Sequence, residues 1–243
     1  MIYCALSLLS ACVTTSNVAD KASLSRAAVY NAQLGAGYLS QGNFLLAKQK
    51  LDKALEQNPD LPEAHSTYGV LEGQLGKAAS AEKHFRTALK LEPHNSEFLN
   101  NYGTFLCNQN RVKEAEEKFM AALNDPLYTT PEYAYTNAGA CAMRVSDYDT
   151  AEAYIRKAMQ VNPNFPNALF EMSRLNMLQK KYTLAKSYLD RYHEVIGLNG
   201  HTPETLWYAI ELSKILKDNN AVASYSLLLK SRFPDSSQAQ SLK

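Results

Sequence analysis

The residues of this chain that could perform acid–base or metal chemistry are dispersed along the sequence. The five histidines are His65, His84, His94, His193 and His201. Their positions, at predicted helix starts, surfaces and loops, favour solvated or capping roles. The sequence contains no glycine-rich phosphate loop, no His-Glu-x-x-His, no Cys-x-x-Cys and no Gly-x-Ser-x-Gly. We therefore predict that the protein is not an enzyme and that it has no metal site, no cofactor and no small-molecule substrate.

The cysteine at position 12 could carry a lipid. Residues 1–11 (MIYCALSLLSA) form an apolar run as long as the hydrophobic region of a signal peptide, although no Lys or Arg precedes it. The string Leu9-Ser10-Ala11-Cys12 resembles the bacterial lipobox, at which the chain is cut before a cysteine that is then diacylated. Polar residues follow at once, as a tether requires. We predict a signal peptide over 1–11, lipidation of Cys12 and a lipidated tether over 12–26; an ordinary signal peptide or a chance helix start is the alternative.

A valine at position 13, where an aspartate would retain a lipoprotein in the inner membrane, resembles the signal for export to the outer membrane. We therefore expect the chain to be anchored in the outer membrane on its periplasmic face. Two or three acyl chains, at about 0.8 kcal/mol per buried methylene, give a stable anchor. The membrane contact is expected through the lipid only, because no apolar run of the sequence approaches the length of a spanning helix, about 18 residues or more.

Composition limits the fold and the partners. The chain has 243 residues, a formal net charge of +1 and 46% hydrophobic residues. Nearly balanced charge removes the electrostatic case for nucleic acid binding. With 10 glycines and 9 prolines, the chain has few residues for the many tight turns of a β-sandwich or barrel.

A regular repeat organises the rest of the chain. Gly42, Ala47, Leu51, Ala54 and Pro59 recur as Gly76, Ala81, Phe85, Ala88 and Pro93. Repeats three and four retain both alanines and the large residue, whereas repeat five has Tyr192 in place of the second alanine. This pattern, with its period of about 34 residues, resembles the tetratricopeptide repeat. We predict an all-α, right-handed α-solenoid over 27–243, with about six repeats at about 28–61, 62–95, 96–131, 132–165, 166–201 and 202–235. The loop at 124–131 is two residues longer than the others, and we expect it to divide the solenoid around residue 128.

Solenoids of this class bind partners on the concave surface lined by the first helix of each repeat. We predict that a protein partner binds in the groove of repeats one to three, and we expect repeats four to six to be a stabilising half. The groove residues are Leu39, Val70, Asn100, Asn101, Thr104 and Asn137. Asn101 and Asn137 occupy the same repeat position, where a side-chain amide can bind the backbone of an extended peptide. The alternative, in which these amides only bond neighbouring helices, is equally open.

Three strings resemble a more specific family, the type IV pilus biogenesis lipoproteins PilF and PilW, called pilotins. They are Leu34-Gly35-x-Gly37-Tyr38-Leu39-x-x-Gly42, Leu99-Asn100-Asn101-Tyr102-Gly103, and Leu229-x-x-x-Phe233-Pro234-x-Ser236. The resemblance implies an outer-membrane lipoprotein that binds the pilus secretin, promotes its localisation or multimerisation, and so supports pilus biogenesis or stability. The alternative is a lipid-anchored adaptor that recruits a cell-wall hydrolase or another envelope protein.

Cys107 and Cys141 are separated by one repeat length and lie in the predicted first helices of repeats three and four. An exported protein matures in an oxidising compartment, which favours a bond between them. Helix axes about 8–10 Å apart make the required Cα separation demanding, and two small buried thiols are the alternative.

We predict that Cys107 and Cys141 are bonded in protein purified from the periplasm. Replacing either one with serine should lower the free energy of unfolding by about 2–4 kcal/mol, because the bond closes a loop of about 35 residues. Thiol labelling under denaturing, non-reducing conditions is the measurement, and two labelled cysteines per chain would disprove the bond.

Overall fold

The chain is built from helices joined by short turns. The computed structural model describes residues 11–197 and 200–242, with side chains from residue 23 onward. The helices are α1 (Ala11–Ser40), α2 (Phe44–Gln57), α3 (Pro62–Gln74), α4 (Ala78–Leu91), α5 (Ser96–Asn108), α6 (Val112–Leu123), α7 (Pro131–Arg144), α8 (Tyr148–Val161), α9 (Pro166–Leu178), α10 (Tyr182–Ile196), α11 (Pro203–Ile215), α12 (Asn219–Arg232) and α13 (Ser237–Gln240). The described residues contain no β-strand. The predicted all-α fold of tetratricopeptide type is confirmed, with α1 to α12 following one another as helix–turn–helix pairs.

The helices form two compact units, residues 1–109 and residues 110–243. The boundary lies in the turn between α5 and α6, so the expected division around residue 128 is wrong. Helices α6 and α7, on either side of the longer loop, belong to the same unit and pack against each other. The loop allows this packing because it folds on itself: Asp125 accepts hydrogen bonds from the backbone N–H of Leu127 through its side chain, at 2.8 Å, and of Tyr128 through its carbonyl oxygen, at 3.1 Å.

The repeated glycine brings the two helices of a pair into contact. A Cβ atom on Gly69 in α3 would lie 2.9 Å from the Phe85 ring in α4, and one on Gly139 in α7 would lie 2.6 Å from Cγ1 of Ile155 in α8. Both large residues are almost fully buried, at 1% and 0% exposure. The large side chain therefore fills the space that the absent glycine side chain leaves.

Each turn inside a helix pair contains one residue in the left-handed backbone region. The six residues are Gly42 (φ 72°), Gly76 (75°), Asn110 (60°), Ser146 (60°), Lys180 (60°) and Lys217 (58°). Glycine adopts this conformation without steric cost, whereas a residue with a side chain pays about 1–2 kcal/mol. The first two repeats have glycine at this position, whereas the later four form the same turn with a residue whose side chain makes the conformation sterically unfavourable.

The predicted signal peptide, lipidated cysteine and tether lie at the amino-terminal edge of the described residues. The predicted signal peptide lies outside the described residues except for Ala11, and nothing is described of the Cys12 side chain, so lipidation stays a prediction. Helix α1 includes the predicted tether, with exposed side chains at 23–26 and the first buried one at Ala28. In the described part of the chain, no helix is long and apolar enough to cross a bilayer.

The two cysteines of the predicted disulfide lie in different units. Cys107 in α5 is 7% exposed and Cys141 in α7 is 2% exposed. Both thiols are thus buried, as the bonded and the unbonded alternatives each require. The pairing stays a prediction.

The expectation of solvated or capping histidines is wrong for His84, His193 and His201, whereas His65 Nε2 donates to the Pro59 carbonyl oxygen at 2.8 Å. His65 and His84 join α3 to α4 through an Nδ1···Nδ1 contact of 3.0 Å, so one ring donates to the other. His193 in α10 is half-buried, with its Nδ1 3.0 Å from the Tyr225 hydroxyl, and its ring meets that of the buried His201 at 4.9 Å. Burial, and secondarily the neighbouring His201, lowers the pKa of His193 to about 4. Only His94 is exposed.

We predict that Ser146→Gly stabilises the protein. The substitution removes the steric cost of the left-handed turn, less the entropy that glycine loses on folding, for a net gain of roughly 0.5–1 kcal/mol. Urea unfolding followed by circular dichroism measures the change. Ser146→Ala is the matched control, since alanine keeps the steric cost, and an equal gain from alanine would contradict the explanation.

We also predict that stability falls as the pH decreases from about 6.5 to about 4. The folded state favours neutral His193, so the unfolded chain binds more protons in this window and is stabilised relative to the folded chain. The loss from this residue is at most about 3 kcal/mol, reduced by solvent screening. Urea unfolding at several pH values is the measurement. His193→Gln, which keeps a hydrogen-bonding group for Tyr225, should flatten the curve; an unchanged curve would rule out His193 as the source.

Candidate protein-binding surface

The first helices of the amino-terminal unit, α1, α3 and α5, pack side by side. Of the predicted groove residues, Leu39 in α1, Val70 in α3, and Asn101 and Thr104 in α5 are half-buried, each with part of its side chain in contact with solvent. Leu39 also packs against the core cluster around Leu51 and Leu71. The structure therefore places four of the five predicted residues of this unit on adjacent helices, with accessible surface.

Asn100 is different. It is 7% exposed, so the expectation that it lies at the groove surface is wrong. Its carbonyl oxygen accepts a hydrogen bond from Thr104 Oγ1 at 3.0 Å. Replacing Asn100 with aspartate would bury a carboxylate and would therefore lower the stability of the folded protein.

Asn101 links two first helices. Its Nδ2 donates to Ser66 Oγ of α3 at 3.4 Å, a long hydrogen bond. An asparagine amide has two donor hydrogens and an oxygen with two acceptor positions. The bond to Ser66 therefore uses a small part of this capacity, and both interpretations of the residue, as a link between helices and as a peptide contact, are compatible with it.

The surface around Asn101 is neutral to slightly acidic. At the inward positions of α1, α3 and α5, the exposed polar residues are Gln33, Glu63, Gln74, Glu97 and Asn108. None of these is a cation, and the two glutamates lie in the first turns of their helices, where a negative charge is favoured by the helix dipole. We define the neutral face as Thr67, Val70, Asn101 and Thr104. It suits an uncharged, partly apolar segment better than an acidic one.

Asn137, the sixth predicted residue, lies in α7 of the carboxy-terminal unit and is half-buried. It has the same position in α7 as Asn101 has in α5, as the repeat alignment predicts. The two amides belong to different units, so the neutral face is defined without Asn137.

Sequence reasoning missed a pocket in the carboxy-terminal unit. The residues lining it are Arg174, Met177, Leu178, Lys180, Tyr182, Tyr208 and Ile215, and its volume is about 420 Å³. We call it the α9–α11 pocket. Helical spacing groups Arg174 with Leu178 in α9 and Tyr208 with Ile215 in α11, but it does not indicate that Leu178 and Ile215 stay exposed. Repeats four to six were expected to be a stabilising half; among their aromatic side chains, Phe165 is buried and Phe170 and Tyr188 are half-buried.

The described residues include no group of three or more His, Cys, Asp or Glu side chains arranged to hold a metal ion. What the surfaces offer is hydrogen-bonding amides and hydroxyls on the neutral face, and an apolar pocket with a basic rim between α9 and α11. Both are suited to holding another protein chain.

Family models and curated protein sequences show which known proteins this chain is similar to. Tetratricopeptide repeat models match residues 73–134 and 132–165. The type IV pilus assembly protein PilF of Pseudomonas aeruginosa is 34% identical over 208 residues, which cover 86% of this chain and 81% of that protein. An uncharacterized protein of Haemophilus influenzae is 32% identical over 155 residues, which cover 64% of this chain and 86% of that one.

Solved structures agree. The structure of Pseudomonas aeruginosa PilF matches with a TM-score of 0.66 and 32% identity, covering 90% of this chain and 97% of that one. PilW, described as a widely conserved type IV pilus biogenesis factor, matches with a TM-score of 0.71 and 29% identity, covering 88% and 96%. Because PilF is matched at this identity over most of both chains, this chain belongs to the PilF family of type IV pilus assembly proteins, which are built on tetratricopeptide repeats.

Proposed function

We propose that this protein is a lipid-anchored scaffold of the outer membrane that binds the secretin of the type IV pilus and promotes its multimerisation. Family membership supports a role in type IV pilus biogenesis through a tetratricopeptide scaffold. The secretin as partner, the outer membrane as location and the lipid on Cys12 are the proposal's own additions.

The neutral face is the observation that carries the proposal. It presents a side-chain amide, two hydroxyls and a valine on α3 and α5, two helices that pack against each other within one unit. Neutral hydrogen-bonding groups can fix the register of an extended segment through its backbone, without demanding charged residues in the partner. A secretin subunit awaiting assembly would offer such unpaired backbone if its strand edges were not yet covered by other subunits.

The lipid anchor would give the scaffold its location. The lipobox-like string ends at Cys12, upstream of Ala28, which is the first described buried side chain. A scaffold held near the membrane by its own lipid keeps the bound subunit at the surface into which the multimer inserts. In this proposal the anchor supplies placement and the neutral face supplies binding.

We predict that Asn101→Asp leaves the fold intact and abolishes secretin assembly. The half-buried position tolerates the change in the free protein, whereas a carboxylate covered by a partner loses its hydration. Heat-resistant secretin multimers, separated on a gel from cells that carry the variant, should fall at least about tenfold, the effect of ~1.4 kcal/mol on binding. Circular dichroism of the purified variant checks the fold.

Gln49→Glu is the matched control, because it makes the same amide-to-carboxylate change at an exposed position of α2. Normal multimers with Asn101→Asp would disprove the role of the neutral face. Cys12→Ser tests the anchor separately: the variant should stay folded and leave the outer-membrane fraction. Unchanged membrane fractionation of Cys12→Ser would contradict the lipid, and normal pilus assembly in a strain without a secretin gene would favour the adaptor function instead.

A further inference from the structure

The α9–α11 pocket differs in chemistry from the neutral face. Its apolar part includes Leu178, 49% exposed, and Ile215, 43% exposed, at the ends of their two helices. Leaving two large aliphatic side chains in water next to each other forgoes the free energy of covering them, about 25 cal/mol for each Å² of apolar surface. A volume of about 420 Å³ accommodates one leucine or phenylalanine side chain with its neighbouring backbone.

The aromatic wall of the pocket is fixed in place. Ser173 donates to the carbonyl oxygen of Ala185 at 2.7 Å, so the Tyr208 hydroxyl donates to Ser173 Oγ at 2.8 Å. The Tyr208 ring also meets the Phe170 ring edge-on at 5.2 Å. A wall held by these contacts costs little to order when a partner arrives.

The charge around the pocket is positive. Its lining includes the cations Arg174 and Lys180 and no carboxylate. Arg174 is already bound through Nη1 to both carboxylate oxygens of Glu171, at 2.9 and 2.8 Å. Lys180, in contrast, is exposed, and no described carboxylate forms an ion pair with it. The pocket therefore has an unneutralised cation beside an apolar floor.

We propose that the α9–α11 pocket is a second docking site, which takes an acidic protein segment with a leucine or phenylalanine as its apolar anchor. The apolar side chain enters between Leu178, Tyr208 and Ile215, and a carboxylate next to it pairs with Lys180. A neutral or basic segment gains only the apolar part of this interaction. The site goes beyond the proposed function, since it lies in the other unit and selects the opposite kind of segment from the neutral face.

Fluorescence anisotropy of two labelled peptides tests the proposal on the whole chain. One peptide is Gly-Asp-Leu-Phe-Glu-Asp-Gly, and the other carries lysine in place of each acidic residue. We expect the acidic peptide to bind at least about tenfold more tightly than the basic one, and to lose affinity as the salt concentration rises. Leu178→Asp and Ile215→Asp, at exposed positions where the fold tolerates them, should each weaken the acidic peptide about tenfold.

Lys180→Glu and Lys181→Glu form the matched pair of charge variants. Both change an exposed lysine of the same turn, but only Lys180 lines the pocket. We expect Lys180→Glu to weaken the acidic peptide about tenfold and Lys181→Glu to leave it within about twofold. Asn101→Asp should leave this binding unchanged, which separates the second site from the neutral face.

Several results would overturn the proposal: equal binding of both peptides, no binding of the acidic peptide at millimolar concentration, or equal effects of Lys180→Glu and Lys181→Glu. Light scattering tests whether a second copy of this chain occupies the pocket instead. A concentration-dependent dimer that Ile215→Asp abolishes would assign the pocket to a second copy of this chain, and the docking site for an acidic segment would be wrong.

Discussion

The close approach of the two helices in each pair is the constraint on which the rest of the structure depends. At Gly69 and Gly139 a side chain as small as a methyl group would collide with the partner helix, so the pair can pack only around a bare backbone. The large residue opposite then becomes the centre of the core, because it alone fills the space between the helices. In the α3–α4 and α7–α8 pairs, the first helix is thereby held close against its second helix. Both candidate sites include accessible side chains of first helices: Val70, Asn101 and Thr104 in the neutral face, and Leu178 and Ile215 in the α9–α11 pocket.

The repeat could be predicted from the sequence because its packing is local. Glycine, alanine and the large residue recur at fixed spacing, and each contact that they make is within a pair or between neighbouring pairs. The unit boundary could not be predicted in the same way. The length of the loop at 124–131 predicted a division there, but loop length does not determine packing. Asp125 accepts a hydrogen bond from the backbone within this loop, and α6 and α7 pack against each other.

Some residues of the candidate sites could be predicted from the sequence and others could not. Helical periodicity places Val70, Asn101 and Thr104 correctly at accessible positions, yet it also assigned Asn100, which is only 7% exposed, to the surface. Exposure of a single inward residue depends on the side chains of adjacent repeats, which a period cannot describe. The α9–α11 pocket was missed for a related reason. Leucine, isoleucine and tyrosine at helical spacing are typical of a core, and only the structure distinguishes Leu178 and Ile215, which stay exposed, from Leu175 and Leu212, which do not.

The left-handed residue in each turn gives the fold a position at which evolution can change chemistry without changing packing. A side chain accepted there carries a modest steric penalty, lower for asparagine and absent for glycine, and the side chains found at these turns stay outside the core. A change from glycine to lysine at such a turn thus adds a cation to the edge of a binding face, at a steric cost of about 1–2 kcal/mol. This position is held by Gly42 and Gly76 in the first two repeats and by Lys180 and Lys217 in the last two. Chains with the same core can accordingly differ in partner preference through the residues at their turns, while the glycine contacts between their helices stay unchanged.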